Sequence, residues 1–151
     1  MAWLLDTGIL LRLADDQDPL HSVVQQAIET LANQQEDLFT TMQNIAEFWN
    51  VATRPAASNG LGLPVPSVIK LLDQVLEPTC ALLFERPALF GEFKRLGTTY
   101  AFSGKQVHDA RLVAMMRVWS VDKILTLNDR DFRRYEPEGI TAVRPESVIT
   151  T

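Results

Sequence analysis

The sequence contains a single cysteine, Cys80. One cysteine excludes an internal disulfide and a cysteine-based metal site, and it fits a reducing compartment. No apolar run is long enough to span a bilayer. The apolar N-terminal stretch is interrupted by Asp6 and Arg12 and lacks the basic segment and cleavage site of a signal peptide. We therefore predict a cytoplasmic protein that does not enter a membrane.

Two nucleotide-binding motifs and a strong positive charge are also absent. Neither GxGxxG nor GxxxxGK[ST] occurs, so the patterns of dinucleotide and P-loop sites are missing. The net charge of -5 argues against a general polyanion-binding protein. However, residues 105–134 contain seven Lys/Arg and only four Asp/Glu. This local excess indicates either a solvated surface or a basic rim around an acidic centre.

The composition that remains is typical of a folded domain. Hydrophobic residues make up 46% and charged residues 22% of the 151 positions, as in an ordinary globular protein. A chain of this length is large enough for one hydrophobic core. We predict a single domain that covers residues 1–151.

Short apolar segments alternate with helical patterns along the chain. Five segments indicate strands: AWLL from Ala2, DLFTT from Asp37, CALLF from Cys80, KILTL from Lys123 and ITAVR from Ile140. Apolar residues recur at helical spacing between them, most clearly in 21–32, 42–53 and 107–119. The alternation predicts an α/β fold with three layers, α/β/α, around a central and mostly parallel sheet of four to five strands.

Local signals set the expected boundaries in the middle of the chain. Three prolines and two glycines between Arg54 and Pro66 predict a loop. Ser67 is a suitable N-cap for the helix that follows. Pro87 suits the first turn of a later helix that reaches Leu96 or Tyr100.

Polar side chains directly follow two of the predicted strands. Asp6 comes after the first strand, and Asn128, Asp129 and Asp131 come after the fourth. Ligands of open parallel sheets bind outside the carboxyl ends of the strands, so these side chains meet if both strands are central. The simpler alternative for Asp6 is that it caps the helix that follows.

Two further acids lie on predicted helices. Asp109 shares a face with Leu112 and Met116, so it is expected to point inward, where a carboxylate is costly unless it is paired, protonated or bound to metal. A salt bridge to a buried arginine, or a bond to a helix N-terminus, is the alternative for Asp109. Glu47 lies on a mixed face, where an exposed pair with Arg54 is the alternative.

Several converging carboxylates without cysteine indicate a hard cation. Like charges raise each other's pKa unless a cation neutralises them. Oxygen ligands favour Mg²⁺ or Mn²⁺ over zinc. The chemistry that suits such a site is phosphoryl transfer or hydrolysis, in which a metal polarises phosphate and activates water.

Four segments, in order, resemble the PIN-domain nucleases, and most closely the VapC-type toxins of bacterial toxin–antitoxin pairs. They are LLDTGILLRL from Leu4, NIAEFWNVATR from Asn44, GKQVHDARLVAMM from Gly104 and ILTLNDRDFRRY from Ile124. The resemblance spans nearly the whole chain, although residues 55–102 contribute little motif information. It implies one PIN-like domain and a Mg²⁺- or Mn²⁺-dependent endoribonuclease that hydrolyses RNA phosphodiesters.

The resemblance also implies catalytic roles for four acids. Asp6 and Asp109 match the aspartates that bind the metal directly. Glu47 and Asp131 match the acids that bind waters of the ion or a second ion. All four are therefore predicted to be catalytic and metal-binding residues.

Supporting roles are implied for two residues of the last segment. Thr126 and Asn128 match the side chains that orient the carboxylates through hydrogen bonds. Asn128 stands where many members have an aspartate, which removes one negative charge from the site. Asp129 matches no required position and is predicted to be a solvated bystander.

Basic residues near these acids are predicted to contact RNA phosphates, which position RNA without reading its bases. They are Lys105, Arg111, Arg130, Arg133 and Arg134. The resemblance further implies a homodimer and a small cognate antitoxin whose tail fills the groove of the active site.

Two other functions stay open at this point. A PIN fold with a weakened site would bind RNA or a protein without cutting, and Asn128 is the feature that favours it. A phosphatase or phosphoacceptor domain would instead use Asp6 as its nucleophile and would leave polynucleotides intact.

Overall fold

A computed structural model of the chain describes residues 1–150. Within them, five strands form one sheet: β1 (Ala2–Leu5), β2 (Asp37–Thr41), β3 (Ala81–Leu83), β4 (Lys123–Leu125) and β5 (Thr141–Val143). The strand order is β3-β2-β1-β4-β5, and every neighbouring pair is parallel. The predicted parallel sheet of an α/β fold is confirmed.

Helices follow each strand. The α-helices are α1 (Thr7–Ala14), α2 (His21–Asn33), α3 (Met42–Thr53), α4 (Val65–Leu71), α5 (Glu77–Thr79), α6 (Leu89–Tyr100), α7 (Gln106–Val118), α8 (Asp129–Phe132) and α9 (Pro145–Ile149). A π-helical turn, Leu72–Leu76, joins α4 to α5, and 3₁₀ turns span Ala56–Ser58 and Arg133–Glu138. No helix within residues 1–150 combines the length and the apolar character needed to cross a membrane.

Side chains of β1 alternate between two hydrophobic cores on opposite faces of the sheet, as the pleat of a strand requires. Trp3 and Leu5 pack on one face with residues of α1, α2 and α3, including the fully buried Phe48. Leu4 packs on the other face with residues of α6 and α7, including Met116. Helices therefore cover both faces, which confirms the predicted three-layer arrangement.

Two of the boundary predictions are wrong. Helix α4 begins at Val65, after Pro64, so Ser67 lies inside its first turn and does not cap it. Prolines near a helix start lose no hydrogen bond there, which allows the helix to begin three residues earlier than predicted. Pro87 lies before α6, whose N-cap is Ala88.

The sheet places the predicted site at its topological switch point. From β1 the chain crosses to β2 and β3 on one side, and it later returns to β4 and β5 on the other. Leu5 of β1 is in register with Leu125 of β4, and the Asp6 N–H donates to the Leu125 carbonyl at 3.1 Å. Asp6 and Thr126 thus leave adjacent central strands side by side, where ligands of such sheets bind.

Candidate active site at the carboxyl edge of the sheet

Asp6 is a helix cap and a member of the acidic cluster at once. It is buried, with 8% of its surface exposed. Its Oδ1 accepts the Thr7 N–H at 2.9 Å, which caps α1 as the simpler alternative predicted. Its Oδ2 accepts the Thr126 hydroxyl at 2.7 Å. The carboxylate is therefore held in one orientation by bonds to both of its oxygens.

The environment of Asp6 raises its pKa above the ordinary value. Burial is the largest cause, and hydrogen bonds from Thr126 and from the Thr7 N–H oppose it. The negative charges of Glu47 and Asp131 raise the pKa further. Those two acids are thus close enough to repel Asp6.

Asp109 lies in the first turn of α7 and is half-buried. Its pKa is raised to about 6, first by burial and then by the charges of Asp6, Asp131 and Glu47. The structure accordingly brings all four predicted acids into one electrostatic neighbourhood. A pKa this strongly perturbed by several other acids is typical of functional sites.

Glu47 faces the site and not Arg54. The Thr7 hydroxyl donates to Glu47 Oε2 at 2.7 Å, and the Gln43 side-chain amide donates to Oε1 at 3.3 Å. The Arg54 guanidinium instead donates to the Asn59 carbonyl at 3.2 Å. The predicted alternative of an exposed Glu47–Arg54 pair is therefore wrong.

None of these four carboxylates forms an ion pair with another residue of the described chain. Within residues 1–150, the structure also has no group of three His, Cys, Asp or Glu side chains already arranged to hold a metal ion. The donor chemistry nevertheless fits a hard cation, because the four acids supply only oxygen atoms, and burial together with the charges of the other acids raises the pKa of Asp6 and of Asp109.

The supporting residues behave differently from one another. Thr126, fully buried, donates to Asp6 as predicted. Asn128 is exposed, and its side chain makes no hydrogen bond within residues 1–150; only its backbone N–H donates, to the Thr126 hydroxyl at 3.0 Å. The prediction that the Asn128 amide orients a carboxylate is therefore not matched in this conformation, because the side chain at the start of α8 turns to solvent.

Asp129 is not the solvated bystander that the sequence suggests. It is half-buried and pairs with Arg133 at 3.1 Å and with Arg144 at 3.5 Å. Arg144 also donates to the Leu127 carbonyl at 2.6 Å. These contacts fasten the segment after β4 to the start of α9, so Asp129 stabilises the loop that presents Asp131.

The five predicted phosphate contacts fall into two groups. Arg111 pairs with Glu85 at 2.5 Å, Arg133 pairs with Asp129, and Arg134 donates to the Tyr100 carbonyl. Lys105 and Arg130 are exposed, and within residues 1–150 their side chains have neither an ion pair nor a hydrogen bond. These two cations are consequently the ones available to an anion without rearrangement.

Three further residues of the site were not identified from the sequence. Asn44 is fully buried, and its amide donates to Thr7 Oγ1 at 3.0 Å and to Asp6 Oδ1 at 3.4 Å. The Thr41 hydroxyl donates to Asn44 Oδ1 at 2.6 Å. Gln43 donates to Glu47 and, at 2.9 Å, to the His108 carbonyl of α7. A possible signal was the clustering of amides with Glu47 on one side of α3.

We expect Thr126→Val to raise the pKa of Asp6 further. The substitution keeps the shape of the side chain and removes the hydroxyl that stabilises the ionised carboxylate. A ¹³C NMR titration of the carboxyl groups measures this pKa directly. Thr40→Val is the matched control, because Thr40 is equally buried but donates to the Leu5 carbonyl and not to Asp6. An unchanged Asp6 titration in Thr126→Val would contradict the assignment.

Comparisons with known proteins identify the family of the chain and related folds. The sequence matches the PIN domain family over residues 3–137. No curated protein sequence is significantly similar to it. Solved structures share the fold at low sequence identity, and three of them are described next.

VapBC2 from Rickettsia felis, bound to a DNA fragment of its promoter, gives a TM-score of 0.67 at 13% identity and covers 95% of this chain and 98% of the matched chain. VapC20 of Mycobacterium tuberculosis, a sarcin-ricin loop cleaving toxin, gives a TM-score of 0.63 at 13% identity. The match covers 93% of this chain and 98% of the matched chain. FitAcB from Neisseria gonorrhoeae gives a TM-score of 0.61 at 17% identity, and the match covers 95% of this chain and 98% of the matched chain. The family match extends over most of the sequence, and the chain belongs to the PIN domain family.

Proposed function

We propose that this PIN domain protein is a metal-dependent endoribonuclease that hydrolyses RNA phosphodiesters and acts as the toxin of a toxin–antitoxin pair. The observation that supports the proposal best is the cluster of Asp6, Glu47, Asp109 and Asp131 at the switch point of the sheet. The charges of the other acids raise the pKa of Asp6 and of Asp109, and none of the four has a cationic partner among the described residues. Such a cluster suits an RNA phosphate only when a cation is also bound.

The residues that would hold Mg²⁺ or Mn²⁺ are these four acids, with Asp6 and Asp109 as direct ligands and Glu47 and Asp131 as their partners. When bound, the ion would supply Lewis-acid polarisation of the phosphate and a lowered pKa for water. The surrounding hydrogen bonds determine how well the acids are positioned for it.

The protein's own contribution is the fixed orientation of the acids. Thr7 links two of them, since its N–H donates to Asp6 and its hydroxyl donates to Glu47. Gln43 links Glu47 to α7, the helix that presents Asp109, through the His108 carbonyl. Side chains locked in this way keep reacting groups in a productive geometry.

Phosphate contacts are proposed for the cations at the edge of the site. Lys105 precedes α7 and Arg130 follows β4, so both lie next to segments that present an acid. Arg111, Arg133 and Arg134 would contact RNA only after exchanging a present partner. Exposed ion pairs contribute little stability, so exchanging the present carboxylate partner for a phosphate costs Arg111 and Arg133 little free energy.

The proposed partners are an antitoxin and a second copy of this chain. Several structurally similar proteins are VapBC or FitAB structures, which supports a toxin–antitoxin pair here. A homodimer and a cytoplasmic location follow from the same proposal. Neither is needed for the chemistry of the four acids.

The test is cleavage of a circular RNA by the purified protein with Mg²⁺ or Mn²⁺. A circular substrate has no ends, so a linear product identifies an endonuclease. We expect cleavage that EDTA stops and that excess Mn²⁺ restores. Intact RNA under all these conditions, across transfer, ribosomal and messenger RNA sequences, would overturn the proposal.

Contaminating ribonuclease is the main artefact in this assay. Asp6→Asn, purified by the same procedure, controls for it because the substitution removes one acid of the cluster. We expect this variant to cleave no circular RNA. Equal cleavage by the variant and the native protein would assign the activity to a contaminant.

A further inference from the structure

A pocket of about 250 Å³ lies beside the acidic cluster. Its apolar wall consists of Leu83, Leu89, Leu112 and Met115. Drug-sized ligands occupy pockets of roughly 300–1,000 Å³, so this pocket suits a smaller group. It adjoins the four acids because Gln43, which lines it, also donates to Glu47.

Gln43 contributes a buried acceptor that has no donor. The residue is 9% exposed, and its NH₂ group donates to Glu47 Oε1 and to the His108 carbonyl. Both of those partners can only accept, so the orientation of the amide is fixed by chemistry. Gln43 Oε1 is left buried without a hydrogen bond within residues 1–150. Because this oxygen has almost no accessible surface, a ligand in the pocket meets the apolar wall beside Gln43 and not this acceptor.

The mouth of the pocket adds one acceptor and one donor. Glu85 and Arg111 both line it and pair with each other at 2.5 Å. Their side chains are 58% and 47% exposed, so the ion pair is solvated and contributes little stability, and it rearranges easily. A ligand can therefore meet both groups.

Phe84 supplies an aromatic surface at the same mouth. It lines the pocket and is 64% exposed. The indole N–H of Trp119 donates to the Phe84 carbonyl at 2.8 Å, which fixes the backbone there. An exposed, positioned phenyl ring beside an apolar pocket suits stacking with a planar base.

We propose that this pocket binds one unpaired guanine base of the RNA whose neighbouring phosphate lies at the four acids. The inference rests on the proposed ribonuclease function and adds a base preference to it. Guanine matches the polar groups because its N1–H and N2 amino group donate to the two carboxylate oxygens of Glu85, while O6 and N7 accept from Arg111. Unpaired bases on aromatic side chains are the usual target of sequence-specific RNA recognition.

The experiment measures binding and not cleavage. Fluorescein-labelled octauridylate, the same oligomer with one central guanosine, and a third with inosine are titrated with Asp109→Asn protein, and fluorescence anisotropy is recorded. We expect the guanosine oligomer to bind at least about fivefold more tightly than octauridylate. Inosine lacks the N2 amino group, so its oligomer is expected to lose about two- to tenfold of affinity relative to guanosine.

Phe84→Ala, added to this protein, is expected to weaken binding of the guanosine oligomer by about fivefold or more. Phe90→Ala is the matched control, because Phe90 is 68% exposed and does not line the pocket. Equal affinity for all three oligomers, preference for another base, no measurable RNA binding, or equal effects of the two variants would overturn the proposal. Cleavage of circular RNA by the native protein would then still decide the ribonuclease function separately.

Discussion

Replacing Asp109 with asparagine is expected to abolish RNA cleavage and to raise the Tm of the metal-free protein at pH 7. Both effects follow from the loss of one carboxylate. Asp109 is half-buried and lies near three other acids, which raises its pKa to about 6. Ionised Asp109 therefore repels its neighbours in the folded state, and asparagine removes that repulsion together with a metal ligand.

The stability effect has a defined pH dependence. Well below pH 4 Asp109 is protonated in both the folded and the unfolded state, so its ionisation does not change the free energy of unfolding. Between pH 4 and 6 the unfolded state ionises while the folded state keeps its proton, and the free energy of unfolding falls as the pH rises. Above pH 6 the penalty is constant. The Tm difference between Asp109→Asn and the native protein should thus appear as the pH rises from 4 to 6.

Calorimetry in EDTA across this pH range measures the stability effect, and circular RNA with Mn²⁺ measures the activity. Loss of a residue that hydrogen-bonds a metal ligand costs roughly 10–100-fold in activity. We expect Asp109→Asn to lower the activity by more than this, because Asp109 is proposed to bind the metal directly. Asp122→Asn is the matched control, because Asp122 is exposed and lies outside the cluster. A variant that keeps its activity, or that is less stable than the native protein at pH 7, would contradict the placement of Asp109.

Local patterns in the sequence predict most of the fold. The predicted bounds of β2 and α3 coincide with those observed, because a threonine cap at Thr41 separates a strand pattern from a helical one. The face of Asp109 is also predictable, since it follows from helical periodicity alone. Both features depend on residues close in the chain.

The features that escape prediction depend on distant residues. Asn44 and Gln43 are polar residues near a helix start, and their importance comes from Asp6, Thr7 and His108 in other elements. For Asn128 the sequence predicts too much. Its position in the segment predicts a hydrogen bond from its side chain to a carboxylate, but at the start of α8 this side chain caps no backbone group and turns to solvent. Tertiary partners, and not local propensity, decide these cases.

Asn44→Leu is expected to lower both the stability and the rate of RNA cleavage. The amide is fully buried and connects Thr41, Thr7 and Asp6. Leucine has a similar volume but leaves the Thr41 hydroxyl without its acceptor and removes a donor to Asp6. An unsatisfied buried group costs about 1–3 kcal/mol in the free energy of unfolding, which urea denaturation measures.

The effect on cleavage distinguishes a positioning role from a purely structural one. Asn44 would not touch RNA but acts through Asp6 and Thr7, so kcat is expected to fall by about 10–100-fold while KM changes little. Asn50→Leu, at an exposed position of the same helix, should leave both parameters unchanged. If Asn44→Leu loses stability but keeps its kcat, the network only supports the fold, and the orientation of Asp6 then depends on Thr126 and the Thr7 N–H alone.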